Sequence, residues 1–573
     1  MALSTASVAA LTTAEIAGLT TTSVGLLTAS GLSALSTAQV AAFTTAGIAA
    51  ISKSHITGFS TSSLAALTTG DVAALTTSAT NAIAANRVAG LTTSAIAALS
   101  TGQVAAFAAT AVSALGTSNI AALTTSDLPA LTNKALGGLS TAEVSALTTS
   151  AVAALTTGNV FGFSANQISG LTTAGAAALT TSDAAALSRT AFGGLTTGEL
   201  AALTTGSVAG LTTAGLNGVA ATKISGLTTA AVAALTTGQI ASLSNTLLGG
   251  LGTSRVAALS TSDLAVLTAK TVVGLTTGEV AALGTAQVAA LITSALFGLT
   301  ASQVGSLSTS AVAALTTSGV AALTGTTIAG MGTSRVAALT TADVAALTVA
   351  TVSGLTTGEL AALTTSAIAV LTTTALNGLP SSKLPGLTTS AIAALSTSGL
   401  AALSKTSVGI LTTGQLAALT TAGIAALTTT GLSGLAATKV ASLTTSAIAG
   451  LTTGDVAVLT GTVISGLTTS GAAALTTSEM AALNKGSIGG LTTGELAALT
   501  TSSVAALTTS GASGLTANNV KGLTTAGVAA MTTNQIIGLA VATASAFTTA
   551  QIAGLTTANA NVLFLTAQGY YHS

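Results

Sequence analysis

The chain has 573 residues, and thirteen basic and thirteen acidic side chains leave no formal net charge; charged residues amount to 5%, against roughly 25% in ordinary soluble domains. With no Cys, disulfides and thiolate metal sites are excluded. Without a basic excess there is no broad electrostatic grip on nucleic acid or anionic lipid. The mean hydropathy of +0.82 does not imply a membrane span, because a Ser/Thr pair interrupts the chain about every eight residues and a spanning helix needs roughly 18 or more mostly apolar ones.

The first residues, MALSTASVAALTTAEIAGL, carry no Lys or Arg before the apolar stretch and are already in a repeat. They do not read as a cleaved secretory signal. Leu3, Leu11, Leu19, Leu27, Leu35, Phe43, Ile51 and Phe59 lie eight apart, and the register runs on through Leu555, giving seventy octads from 3 to 562. The consensus is L-T-T-x-x-V-A-A, as in LTTGELAA from Leu195.

A strand reading, and with it a β-solenoid, is disfavoured. At a period of two, Leu at the first position and Val at the sixth face opposite sides, and Ala is a poor strand former. A helix reading explains every position. Ser or Thr at the second position with Glu, Asp or Gln at the fifth is a capping box, and the apolar first and sixth positions form the staple across it. Gly, frequent at the eighth position, is expected to end the helix in a left-handed conformation. All thirteen acids stand at the fifth position, in the first helical turn, where negative charge is favoured.

A helix of about six residues is unstable alone, so the octads must stack as in a solenoid. Octads that depart from the consensus begin at Leu27, Ile51, Ile83, Phe107, Leu131 and onward to Met531, three or four octads apart, with a mean step of about 26.5 residues. All thirteen Lys and Arg lie in one of these octads or the next. Read as a structural period, this gives about 3.3 octads per turn. The fold expected is therefore all-α, a continuous superhelical solenoid of about seventy short capped helices over 1–562, with residues 563–573 as a C-terminal cap or tail. Asp71, Asp127 and Asp183 recur 56 apart; Asp183, Asp263 and Asp343, Glu199, Glu279 and Glu359, and Arg255 and Arg335 recur 80 apart. Either the turn or recent duplication accounts for these longer periods.

Nothing in this pattern supplies an active site or implies a cofactor. His55, at a fifth position, reads as a solvent-facing first-turn residue, and His572 lies in the tail. Single acids spaced eight or more residues apart provide too few oxygens locally for calcium. Four acid–base–acid runs stand out: Asp127, Lys134 and Glu143; Asp183, Arg189 and Glu199; Asp263, Lys270 and Glu279; Glu479, Lys485 and Glu495. They read as charge-balanced surface or as a device that sets how rods meet. The tail, with Tyr570 and Tyr571, is the remaining candidate for a subunit contact.

The octads LTTAEIAGL, LSTAQVAAF and LTTGELAAL resemble the Ala/Thr-rich octapeptide repeats of large bacterial surface and secreted structural proteins. The resemblance implies an extracellular or cell-surface location, reached without a cleaved N-terminal signal. The function expected is a non-enzymatic protein that associates with itself into a filament, sheath or surface layer. An adhesin or spacer stalk touching the cell surface is the alternative, and ice binding through Thr arrays a third.

Overall fold

The structure, a computed structural model, describes residues 3–571. Sixty-eight α-helices and two 3-10 helices follow one another, with no strand among the described residues. The repeat is seen clearly at Leu67. Thr68 is extended; its hydroxyl accepts from the Asp71 amide at 3.2 Å, and the Asp71 carboxylate accepts from the Thr68 amide at 3.0 Å. This box starts helix Thr69–Ala74, and Leu67 and Val72 on either side of it are both buried. The Leu75 amide then closes back on the Val72 carbonyl at 3.3 Å, and Leu75 returns to extended backbone to begin the next unit.

Proline and weak capping alter this pattern locally. In LPSSKLPG, Pro380 stands at the cap and Pro385 inside the element, and the octad forms the 3-10 helix Ser381–Gly386. Pro385 has no amide to give an α-helical bond. The last helix, Thr557–Ala567, is eleven residues long. It carries the chain through 563, so the end of the octad register falls inside one helix.

Residues Met1–Gly298 and Leu299–Ser573 form two compact units. In the first, helix Thr69–Ala74 packs on Thr45–Ala49 and on Thr93–Ala97. In the second, Thr357–Ala362 packs on Thr333–Val336 and on the 3-10 helix Ser381–Gly386. Within each unit, then, stacking is between helices three octads apart, and the first- and sixth-position side chains form the core between them.

Helices pack on those three octads away, a contact spacing that a turn of about 3.3 units also gives, and the 26.5-residue recurrence has a packing origin. It marks where eighth-position glycines let one turn lie close on the next. A Cβ at Gly250, Gly274 or Gly298 would overlap the backbone of Ala221, Asn245 or Ala269, three octads earlier. This close-approach edge holds one column of octads for some turns and then moves over by one octad, which adds eight residues to that step and lifts the mean above 24. One expectation is corrected: the eighth-position glycines are not left-handed. The positive-φ residues are Gly116, Gly252, Gly332 and Gly569, and none stands at an eighth position. Glycine is selected there for contact with the neighbouring turn rather than for backbone conformation.

The two uses of glycine predict opposite outcomes. Gly274→Ala should lower the urea unfolding midpoint, by about 1–3 kcal/mol, because the added methyl meets backbone that cannot yield. Gly70 lies inside a helix with no atom closer than 3.7 Å to a Cβ, so Gly70→Ala should raise the midpoint by roughly 0.4–1 kcal/mol.

Candidate assembly surface

Apart from Tyr570 and Tyr571 in the tail, the site residues picked from the sequence lie at or near the fifth octad position, and its geometry decides what they can do. Twelve of the thirteen acids are buried, between 1 and 4% exposed. Each carboxylate is held by the Ser or Thr three residues before it. Asp127 accepts from the Thr124 amide and hydroxyl at 2.8 and 2.7 Å. Asp183 accepts from Thr180 at 3.0 and 2.6 Å, and Asp263 from Ser260 at 2.9 and 2.6 Å. Glu199 and Glu495 each accept from a Thr amide at 2.6 Å. The exception is Glu15 in the first turn, which is exposed; the amide and hydroxyl of Thr12 hold its carboxyl below the usual carboxylate range.

The same position also links one turn to the next when its side chain can donate. Gln103 Nε2 reaches the carbonyl of Leu75 at 2.7 Å, and Gln167 that of Leu139 at 2.9 Å. Asn119 and Asn159 reach Leu91 and Leu131, each at 3.0 Å. One acceptor in each case is the first residue of the octad three before, 28 residues back, and Gln103 and Gln167 also donate to Val72 and Leu136, 31 back. Six cations do the same or nearly so: Arg87 to Phe59, Arg255 to Leu227, Arg335 to Leu307, Lys383 to Leu355, Lys439 to Leu411, and Lys223 to Gly193. These cross-turn donors were not anticipated from the sequence. The signal that could have found them is at the second position, which in those six octads is Ala84, Gly252, Gly332, Pro380, Ala436 and Ala220 rather than Ser or Thr.

The reason is chemical. A cation at the fifth position cannot accept the cap amide, so that amide needs another partner or none. Gly252, with φ of 87°, turns its amide to Glu279 Oε1 at 2.8 Å in the following turn. Gly332 does the same to Glu359 at 2.9 Å, and Gly116, ahead of the donor Asn119, to Glu143 at 3.2 Å. Gly284 is the control: Gln287 accepts its amide at 2.8 Å, and its φ stays at −76°. Glu479 is the complementary case. Its Oε1 is buried without a partner, because the amide that would reach it, on Thr452, already donates to Asp455 at 2.9 Å.

The four acid–base–acid runs are therefore split by the fold. Asp127, Glu143, Asp183, Glu199, Asp263, Glu279, Glu479 and Glu495 point inward, whereas Lys134, Arg189, Lys270 and Lys485 are exposed. A contact with another molecule can use the cations and not the acids. His55 is half-buried, and its Nδ1 accepts from the Ser52 amide at 3.4 Å, so it takes the capping place of an acid rather than facing solvent. Tyr570 and Tyr571 are exposed and meet edge to face, with ring centres 6.1 Å apart; His572 lies outside the described residues. No group of three His, Asp or Glu able to hold a metal occurs among the described residues, and none of their helices is long and apolar enough to cross a membrane. The exposed surface also carries large apolar side chains. Val273 and Phe297 occupy the same octad position on stacked helices and are 44 and 60% exposed.

These features define a helical octapeptide-repeat protein. Residues 120–157, 256–293 and 280–317 match the model of a family described as the ALTTAQ repeat. No curated protein matches the chain.

One chemical change should have opposite effects at two buried glutamates. Glu279→Gln keeps the shape but turns an amide group toward the Thr276 or Gly252 amide, and should destabilise by about 1–3 kcal/mol. Glu479→Gln supplies a donor for the Leu451 carbonyl, as Gln415 does for Leu387 at 2.7 Å, and should stabilise by roughly 1 kcal/mol. Denaturant midpoints of the two variants test both signs.

Proposed function

We propose that the chain is a non-enzymatic structural protein that associates with itself into an extracellular filament, sheath or surface layer. The observation that carries this reading is the commitment of its carboxylates. Twelve are buried, each bonded to the Ser or Thr three residues before it, so they serve the stack and are withheld from solvent chemistry. What the turns present outward is largely Thr, Ser and Ala with few charges, a composition that favours association over solubility. Val273 and Phe297, exposed on adjacent turns, add apolar surface of the kind that marks contact sites. The likeness of the octads to repeats of bacterial surface and secreted proteins supports the extracellular setting.

Electron microscopy of purified protein should show ordered filaments or sheets, and light scattering should follow their growth. The double variant Val273→Ser, Phe297→Ser should slow that growth several-fold with an unchanged circular dichroism spectrum. Dispersed monomers alone at high concentration would reject the proposal.

A further inference from the structure

Although the formal charge is zero, the two signs occupy different places. Twelve acids are buried beneath the surface, with amides or hydroxyls bonded to their oxygens. Seven cations are exposed: Lys53, Lys134, Arg189, Lys270, Lys405, Lys485 and Lys521. The other six reach back over the preceding turn and are half-buried. A partner arriving at the surface therefore meets cations and, Glu15 apart, no carboxylate among the described residues.

For some of them the placement is also unfavourable for the fold. Lys53, Arg189, Lys405 and Lys485 are the first residues of their helices, and Lys134 and Lys270 the second. The unpaired amides there disfavour positive charge. Arg189, Lys405 and Lys485 replace the Thr usual at the third octad position and open six-residue helices, away from the last turn, so these three cations break a local rule without a visible structural gain, as residues kept for function do. Two of the exposed cations line surface hollows. One, of about 520 Å³, is formed by Ser52, Lys53, Ser54, Thr57 and Ala82. The other, of about 390 Å³, is formed by Leu243, Ser244, Asn245, Lys270 and Thr271.

We infer that these cations and the hydroxyl groups beside them bind a carboxylated polysaccharide. The cation takes the sugar carboxylate, and Ser, Thr and Asn exchange hydrogen bonds with ring hydroxyls. Single cations set beside hydroxyl groups suit a polymer whose charges are separated by neutral hydroxyl-bearing units, not duplex DNA with a charge every ~1.7 Å. No aromatic side chain lines either hollow to stack a base. Each contact is weak, and affinity comes from several engaged along one polymer. The inference rests on the extracellular reading above for where such a polymer is met.

The test is affinity electrophoresis of the whole chain in gels containing polygalacturonate, with neutral pullulan as reference. Retardation by polygalacturonate that fades with rising salt is expected. The variant K53Q/K134Q/R189Q/K270Q/K405Q/K485Q should bind at least about tenfold more weakly, with a thermal midpoint equal to or above that of the parent; a structural role would lower it. Replacing the five lysines by Arg should preserve binding. No retardation of the parent, equal retardation by pullulan, undiminished binding by the sixfold variant, or retention by duplex DNA or phosphatidylserine vesicles in place of polygalacturonate would each overturn the inference. Micrographs of the same sixfold variant without polysaccharide separate the two proposals: assemblies that still form leave self-association standing when binding is lost.

Discussion

The structure depends on the satisfaction of backbone groups at helix ends. An α-helix leaves its first four amides and last four carbonyls without internal partners, and a helix of five residues such as Thr13–Ala17 is nearly all end. Water can satisfy some of these groups, but not those enclosed between stacked turns. The second and fifth octad positions meet this need at the start of the helix through the capping box. The fifth position also meets it at the carbonyl of the first residue three octads earlier, when its side chain has a proton to donate. Stacking by itself buries Leu and Val; it is the fifth position that lets the polar backbone be buried with them.

One side chain cannot do both tasks equally well, and this couples two positions within each octad. An ionised carboxylate accepts from its own cap but offers nothing to the preceding turn. A guanidinium or ammonium reaches the preceding turn but leaves its cap amide without an acceptor. Glutamine and asparagine, with one oxygen and one amino group, do both, as Gln103 does with Ser100 and Leu75. The cation octads resolve the conflict in three ways. Pro380 has no amide, Ala84, Ala220 and Ala436 leave theirs at exposed positions, and Gly252 and Gly332 rotate theirs into the next turn, where Glu279 and Glu359 accept it. The repeat thus tolerates many substitutions at the fifth position, provided the second position changes with it.

Much of this was legible in the sequence because it is local. Thr12 and Glu15, three residues apart, announce a box that needs no knowledge of the rest of the chain, and Leu67 with Val72 announces the staple. What could not be read was set by contacts 24 to 30 residues away. Gly274 looks like a helix terminator until Asn245 is placed against it. The deviant octads recur about every 3.3 units, but why they do so shows only in the contacts: helices pack on those three octads away along a close-approach edge that shifts sideways. The burial of the acids followed from the same distance: Glu143 reads as a solvent-facing first-turn residue until the turn containing Gly116 closes over it. The absence of Thr at Ala84, Ala220 and Ala436 was visible throughout, but its meaning appears only once Arg87, Lys223 and Lys439 are seen to reach backward.

The same geometry changes what a net charge of zero means for assembly. If charges of both signs shared the surface, copies of the chain could meet through ion pairs, as the acid–base–acid runs suggested. With the acids enclosed, two approaching copies present cations to one another and, Glu15 apart, no carboxylate among the described residues. Direct lateral contact must then rely on hydroxyl groups and on side chains such as Val273 and Phe297, while like charges resist it wherever Lys53, Lys134 or Arg189 come near their counterparts. Surface ion pairs between exposed side chains contribute little in any case, roughly 0–1 kcal/mol each, so their loss does not forbid association. It does determine the kind of contact: copies can pack where the cations are absent, and where they are present an intervening anionic polymer turns mutual repulsion into a shared attachment.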